Sequence, residues 1–159
     1  MELLTQRLTL RVVSYRDSNV LLQILNHPKV SHYNDYGKSL TLQDIKAMIQ
    51  SDLELFYQGI GVRFILLKEG SVIGSIGLFD YQQSSAEISM GYELSPEHWN
   101  QGYMREAATC LINSLHHILP KALIAQVNAK VAPKNVRSIN LLKYLGFEHK
   151  QDKYRLNLS

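Results

Sequence analysis

Three consecutive pieces, AEISMGYEL (86–94), SPEHWNQ (95–101) and GYMREAATCLINSLHHI (102–118), decide the fold. The first alternates apolar and polar residues, which is the signature of a strand. The second carries Pro96 and polar residues and reads as a loop. In the third, Met104, Ala107, Ala108, Leu111, Ile112, Leu115 and Ile118 fall at offsets 0, 3, 4, 7, 8, 11 and 14. That spacing puts an apolar stripe down one side of a helix, which Pro120 closes.

Residues 122–127 follow as a second, buried strand. A strand, a helix and a strand in one run predict a parallel crossover. Upstream, residues 63–67, 72–79 and 86–94 read as three strands. Glu69-Gly70 and residues 82–85 supply the turns of an antiparallel meander. Residues 8–13 (LTLRVV) form an earlier strand. Asp17 precedes Val20, Leu21, Ile24 and Leu25 at helical spacing, and that helix ends before Pro28. Thr41 and Asp44 form a capping box ahead of Ile45, Met48, Ile49 and Leu53. Near the end, Asn135 to Leu145 reads as a helix, with Gly146 placed for the left-handed position behind it. Two short strands flank Gln151-Asp152. The expected fold class is α/β: one mixed, mainly antiparallel twisted sheet with helices on both faces.

Composition bounds the function. The chain has 159 residues, with 45% hydrophobic and 19% charged, and reads as one domain, 1–159. A net charge of +3, with no basic run, argues against a nucleic-acid partner and suits one small polyanionic ligand. Cys110 is the only cysteine, which excludes an internal disulfide and fits a reducing compartment. No signal-like segment and no membrane-length apolar run appear, so the expectation is a cytoplasmic protein with no membrane partner. The six histidines show no metal-ligand spacing.

The junction at Gly102 aims backbone N–H groups and a helix dipole at an anion. Neither a Lys-Ser/Thr pair after Gly102 nor a Gly-x-Gly-x-x-Gly run is present, so a nucleotide site of those types is not supported. Asn135 and Ser138, three apart on a helix, share a face; taken alone, Asn135 is an N-cap. Cys110, between apolar helix positions, reads as a small buried hydrophobe rather than a nucleophile.

Together these segments resemble a known family. Ser95 to Ala107 is similar to the acetyl-CoA motif of the GNAT superfamily, Gln/Arg-x-x-Gly-x-Gly/Ala. Asn135-x-x-Ser138-x-x-x-Leu142-x-x-Leu145-Gly146-Phe147 is similar to the superfamily's following helix. Thr5-Gln6-Arg7-Leu8-Thr9-Leu10-Arg11 and Asn26-His27-Pro28-Lys29-Val30 resemble the Rim-type branch, the ribosomal-protein alanine acetyltransferases and their relatives. There are two departures. Trp99 stands first in the acetyl-CoA motif, as suits the Rim-type branch. Met104 stands where a small residue is usual; its side chain can turn into the core because only backbone need face phosphate.

The resemblance implies an acetyl-CoA-dependent N-acetyltransferase, with acetyl-CoA as co-substrate and no metal. Acetyl-CoA would lie where strands 86–94 and 122–127 splay. Backbone around Glu93 and Leu94 would bond the pantetheine arm. The N–H groups of Gln101, Gly102, Tyr103, Met104 and Arg105 would take the diphosphate, with Trp99 and Asn100 also binding the cofactor, and Asn135 would reach the arm from the other side. A tyrosine that other branches use to assist the leaving thiolate falls at Leu142, so Ser138 takes that role as a hydrogen-bond donor; Tyr103 and Tyr144 are spare candidates. Glu87 is the first choice for the base and Glu93 the second. They are six residues apart and share a face of an unbroken strand. Tyr33, Asp35 and Tyr36 would meet the acceptor, a protein N-terminus or a small-molecule amine, attacked directly in a ternary complex. The alternative is a non-catalytic acyl-CoA-binding module. Relatives that dimerise make a homodimer compatible with the resemblance.

Overall fold

A computed structural model describes residues 1–34 and 38–158. Eight strands form one sheet in the order β1-β2-β3-β4-β5-β6-β8-β7. They are β1 (Glu2–Leu4), β2 (Thr9–Val12), β3 (Val62–Lys68), β4 (Ser71–Gln82), β5 (Glu87–Leu94), β6 (Gln126–Ala129), β7 (Glu148–Lys150) and β8 (Lys153–Asn157). Every pairing is antiparallel except β5 with β6. The helices are α1 (Ser18–Asn26), α2 (Pro28–Ser31), α3 (Leu42–Gln58), α4 (Tyr103–Asn113), α5 (Leu115–Ile118) and α6 (Val136–Tyr144).

Local chemistry explains most boundaries. Thr41 and Asp44 close a reciprocal capping box at the start of α3, satisfying two otherwise orphaned N–H groups. The turn between β3 and β4 puts Glu69 and Gly70 at φ 51° and 80°, the two left-handed positions of a type I′ hairpin. Gly146 takes φ 95° behind α6.

Alternation along the strands builds two cores. Phe64, Ile76, Ile88 and Met90 point to one face and meet Ala107, Ala108 and Leu111 of α4, with Leu142 of α6. Ile65 points to the other face and meets Leu21 and Leu25 of α1 and Ile45 and Ile49 of α3. The sheet is thus covered on both sides.

The expected 102–118 helix is broken at Ser114 into α4 and α5, although Leu115 and Ile118 remain buried on the predicted stripe. The strand expected at 122–127 begins at Gln126. Ala122 and Ile124 are buried as expected, but they lie in the segment before pairing starts. The short elements β1 and α2 were not anticipated.

Candidate functional site

The parallel pair creates the cleft. β6 follows β5 only through Glu87↔Gln126, Ile88↔Val127 and Ser89↔Asn128, and β5 then runs on to Leu94. On the other edge, Ser95 donates its N–H to Ile73 O at 2.8 Å. Antiparallel pairing alternates, so the backbone of Glu93 bonds toward Ser75 and that of Tyr92 and Leu94 faces the gap. The Leu94 carbonyl there accepts the Trp99 indole N–H at 2.8 Å. The backbone group sought around Glu93 and Leu94 is therefore that of Tyr92 and the Leu94 N–H. The cleft holds about 1300 Å3 and is walled by the end of β5, the 98–105 turn, the start of α6 and Tyr33 and Asn34.

The turn into α4 is preformed. Asn100 and Gly102 have φ 60° and 82°, with Gln101 between them. The first N–H groups of α4 have no partner within the helix. Met104 is 8% exposed and packs in the main core, which leaves its backbone at the cleft. Arg7 braces this turn. It donates to Gln101 O at 3.0 Å and to Glu106 Oε1 at 2.8 Å, and stacks 4.1 Å from the Tyr103 ring centroid. Thr5 donates to Glu106 as well. Burial pushes the Glu106 carboxyl up, but these hydrogen bonds and the Arg7 charge outweigh it and hold it below its ordinary value. Arg105 stacks 4.2 Å from the exposed Tyr144 ring. With Lys130 on the wall, the cleft suits a diphosphate; its peptide donors and cations fit coenzyme A.

At the start of α6, Asn135 Oδ1 accepts the Ser138 N–H at 3.3 Å and so caps the helix. Ser138 is 9% exposed, and its hydroxyl meets the Tyr92 hydroxyl at 2.5 Å. Burial pushes the Tyr92 phenol up to about 12, against the lowering effects of Ser138 and the nearby Arg137 charge. Leu142 is fully buried, so the phenol at this site comes from β5 and not from α6. Tyr92 was missed in the sequence. The signal was an aromatic with a polar tip on the stripe Ile88, Met90, Leu94. Arg137, beside Ser138, was missed too; it stacks 3.3 Å from the Trp99 ring centroid.

The two carboxylates part company. Glu93 lines the cleft. Its Oε1 accepts from Ser75 and pairs with Arg63 at 3.2 Å, while Arg63 also pairs with Asp52 at 2.6 Å. The structure does not bring Glu87 to the cleft. Its carboxylate pairs with Arg155 at 2.8 Å and accepts from Asn128 at 3.2 Å. Hydrogen bonds from Ser85 and Asn128, with the Arg155 and Lys153 charges, hold it below the ordinary value; what sets it apart from Glu93 is that it does not line the cleft. Tyr103 is buried under Arg7. Cys110 is half-buried and is not among the cleft-lining residues. Asp35 and Tyr36 lie outside the described residues. Among the described residues, no cluster of His, Cys, Asp or Glu could hold a metal. No helix there is long and apolar enough to cross a membrane.

Comparison with known proteins agrees with this geometry. The model of the acetyltransferase (GNAT) domain family matches residues 7–148. The chain is 34% identical over 148 residues to an uncharacterized N-acetyltransferase, p20, of Bacillus licheniformis, covering 92% of this chain and 82% of that one. Among solved structures it is similar to RimL, a ribosomal L7/L12 alpha-N-protein acetyltransferase in complex with coenzyme A. The TM-score is 0.86 at 15% identity, covering 99% and 98% of the two chains. It is also similar to a ribosomal-protein-S5-alanine acetyltransferase from Vibrio fischeri, with TM-score 0.82, 16% identity, and coverage of 99% and 96%. The splayed strands, the preformed turn and the family match lead to one conclusion: the chain belongs to the GNAT acetyltransferases, enzymes that use acetyl-CoA to acetylate amines.

Proposed function

We propose that the cleft carries an acetyl group directly to a primary amine in a ternary complex, and that the acceptor is a protein N-terminus or a small-molecule amine. The Tyr92–Ser138 hydroxyl pair at the end of the strand gap carries this reading. The similar structures, a ribosomal L7/L12 alpha-N-protein acetyltransferase and a ribosomal-protein-S5-alanine acetyltransferase, add weight to the protein option.

Acetyl-CoA supplies the activated acyl group. The N–H groups of Gln101 to Arg105 would hold its diphosphate, and the Asn135 amide its arm. The Tyr92 N–H, on the open edge of β5, would stabilise the acyl oxygen as it gains negative charge. One hydroxyl of the Tyr92–Ser138 pair would donate to the departing sulfur while the other donates to that hydroxyl. They do not surrender a proton. A thiol has a pKa of about 8.5 and the phenol about 12, so full transfer is uphill by about 5 kcal/mol. Glu93, and not Glu87, is the carboxylate at hand to accept the amine's proton, directly or through a water. Cys110, away from the lining, fits direct transfer without an acetylated enzyme.

The test is release of free CoA thiol from acetyl-CoA with and without amines, across Ala- and Ser-initiated peptides and polyamines. Amine-dependent release supports the proposal. Tight CoA binding without release under any amine would favour the binding-module alternative.

A further inference from the structure

Four of the chain's arginines are half-buried: Arg11, Arg63, Arg137 and Arg155. Three meet carboxylates. Arg11 holds Asp17 at 2.7 Å, Arg63 holds Asp52 and Glu93, and Arg155 holds Glu87. Among the described residues Arg137 meets none. Burial lowers its pKa, and it sits in the first turn of α6, where the helix dipole opposes a cation. Arg137 is therefore a partly desolvated guanidinium at an unfavourable helix end, with no anion among the described residues to offset it.

Its geometry is nevertheless well defined. The guanidinium lies 3.3 Å from the Trp99 ring centroid, and the Trp99 indole is itself fixed by its bond to the Leu94 carbonyl at 2.8 Å. Contact at that distance holds the guanidinium against the ring, and a guanidinium so held can grip a carboxylate through two parallel hydrogen bonds. The Tyr33 ring centroid, on the acceptor wall, is 5.8 Å away. Ser138, whose hydroxyl meets Tyr92, is the next residue. The cation thus stands at the reacting end of the cleft.

We infer that Arg137 reads the acceptor, binding a carboxylate that the acceptor carries a few bonds from its reacting amine. This rests on the acetyl-transfer reading. It narrows the acceptor class to acidic peptide N-termini and amines of amino-acid type, and disfavours polyamines, which the guanidinium would repel.

The experiment uses the full chain and three short peptides of one sequence, differing only in Glu, Gln or Lys at the second position. CoA release is followed for the unsubstituted protein, Arg137→Gln and Arg137→Lys, and CoA affinity is measured separately by calorimetry without acceptor. The unsubstituted protein should prefer the Glu peptide over the Gln peptide by roughly 10- to 100-fold in kcat/KM, as fits a charge-assisted hydrogen bond, with the Lys peptide poorest. Arg137→Gln should bring the Glu/Gln ratio close to one. Arg137→Lys should keep part of it, having the charge without the fork. CoA affinity should shift by less than about threefold, since the cofactor is assigned to other groups. Equal use of the Glu and Gln peptides, or a ratio that survives Arg137→Gln, would overturn the inference alone. A CoA affinity weakened about tenfold or more (≥ 1.4 kcal/mol) would assign Arg137 to the cofactor's phosphates and overturn it too. CoA release with none of the peptides, despite tight CoA binding, would remove the transfer reading and this inference together.

Discussion

The hydroxyls of Tyr92 and Ser138 stand 2.5 Å apart, joining the open edge of β5 to the first turn of α6. Neither residue reaches the gap by accident of the surface, because Ser138 is buried and Tyr92 half-buried against the core. If the pair works as one donor unit to the leaving sulfur, Ser138→Ala and Tyr92→Phe should each lower kcat by about 10- to 100-fold with little change in CoA affinity. The double variant should fall well short of the product of the two losses, as contacting residues do. Steady-state kinetics with calorimetric CoA binding checks this. An unchanged kcat in Ser138→Ala would remove it from the mechanism.

The Tyr92 phenol also links the site to alkaline stability. Its pKa is pushed up to about 12 by burial, above the unfolded value of about 10. The folded state therefore holds this proton where the unfolded state has lost it. The contribution is fully present below about pH 10 and is lost as pH rises from about 10 to 12. Denaturant midpoints across that window should fall less steeply for Tyr92→Phe than for the unsubstituted protein.

The two strand carboxylates should separate in kinetics. Glu93→Gln should lower kcat/KM by about 10-fold or more, as loss of a general base does. Glu87→Gln, which removes a partner of Arg155 outside the cleft, should leave kcat/KM within about twofold and appear chiefly as a lower Tm. Steady-state kinetics and thermal unfolding of the two variants decide between them.

Arg7 should act through the phosphate turn. It spans Gln101 O, Glu106 and the Tyr103 ring, and a Cβ on Gly102 would sit 3.3 Å from its guanidinium. Arg7→Ala should raise KM for acetyl-CoA by about 10-fold, with a smaller change in kcat, because a preformed donor set is loosened. Gly102→Ala should do likewise, with about 1–2 kcal/mol of strain at a left-handed position. Initial rates against acetyl-CoA concentration test both.

The Arg11–Asp17 pair should dominate acid sensitivity on the opposite face. Asp17 is nearly fully buried. Burial pushes its carboxyl up, but hydrogen bonds from Arg11 and the Ser14 N–H, with the Arg11 charge, bring it below its ordinary value. Its contribution is present above the unfolded pKa of about 3.9 and is lost as pH falls through the lower folded value. Asp17→Asn should destabilise by about 3 kcal/mol at neutral pH, the scale for breaking a buried pair, as read by denaturant unfolding.

Periodicity in the sequence carried the burial pattern further than the hydrogen-bond pattern. The stripe from Met104 to Ile118 named the residues that face the core, but not the break at Ser114, since a helix can change its bonding and keep its apolar side inward. Ala122 and Ile124 were legible as buried; that pairing starts only at Gln126 depends on where β6 meets Glu87 of β5. The phosphate turn was legible because Gly102 punctuates a loop–helix junction. Tyr92 was not, because an aromatic on a core stripe looks like packing until α6 delivers Ser138 to its hydroxyl. Arg137 was hidden for a related reason: only the map of carboxylate partners singles it out among the half-buried arginines. Same-face parity of Glu87 and Glu93 could not rank them, because the ranking lies in where β6 stops following β5: Glu87 lies within the paired stretch and Glu93 beyond it, at the cleft.

A crystal structure of the chain with coenzyme A bears most directly on the whole account. The diphosphate should rest on the N–H groups of residues 101–105, with the sulfur within hydrogen-bonding distance of the Tyr92 or Ser138 hydroxyl. Coenzyme A bound with its sulfur remote from both hydroxyls, or with the 101–105 turn empty, would contradict it.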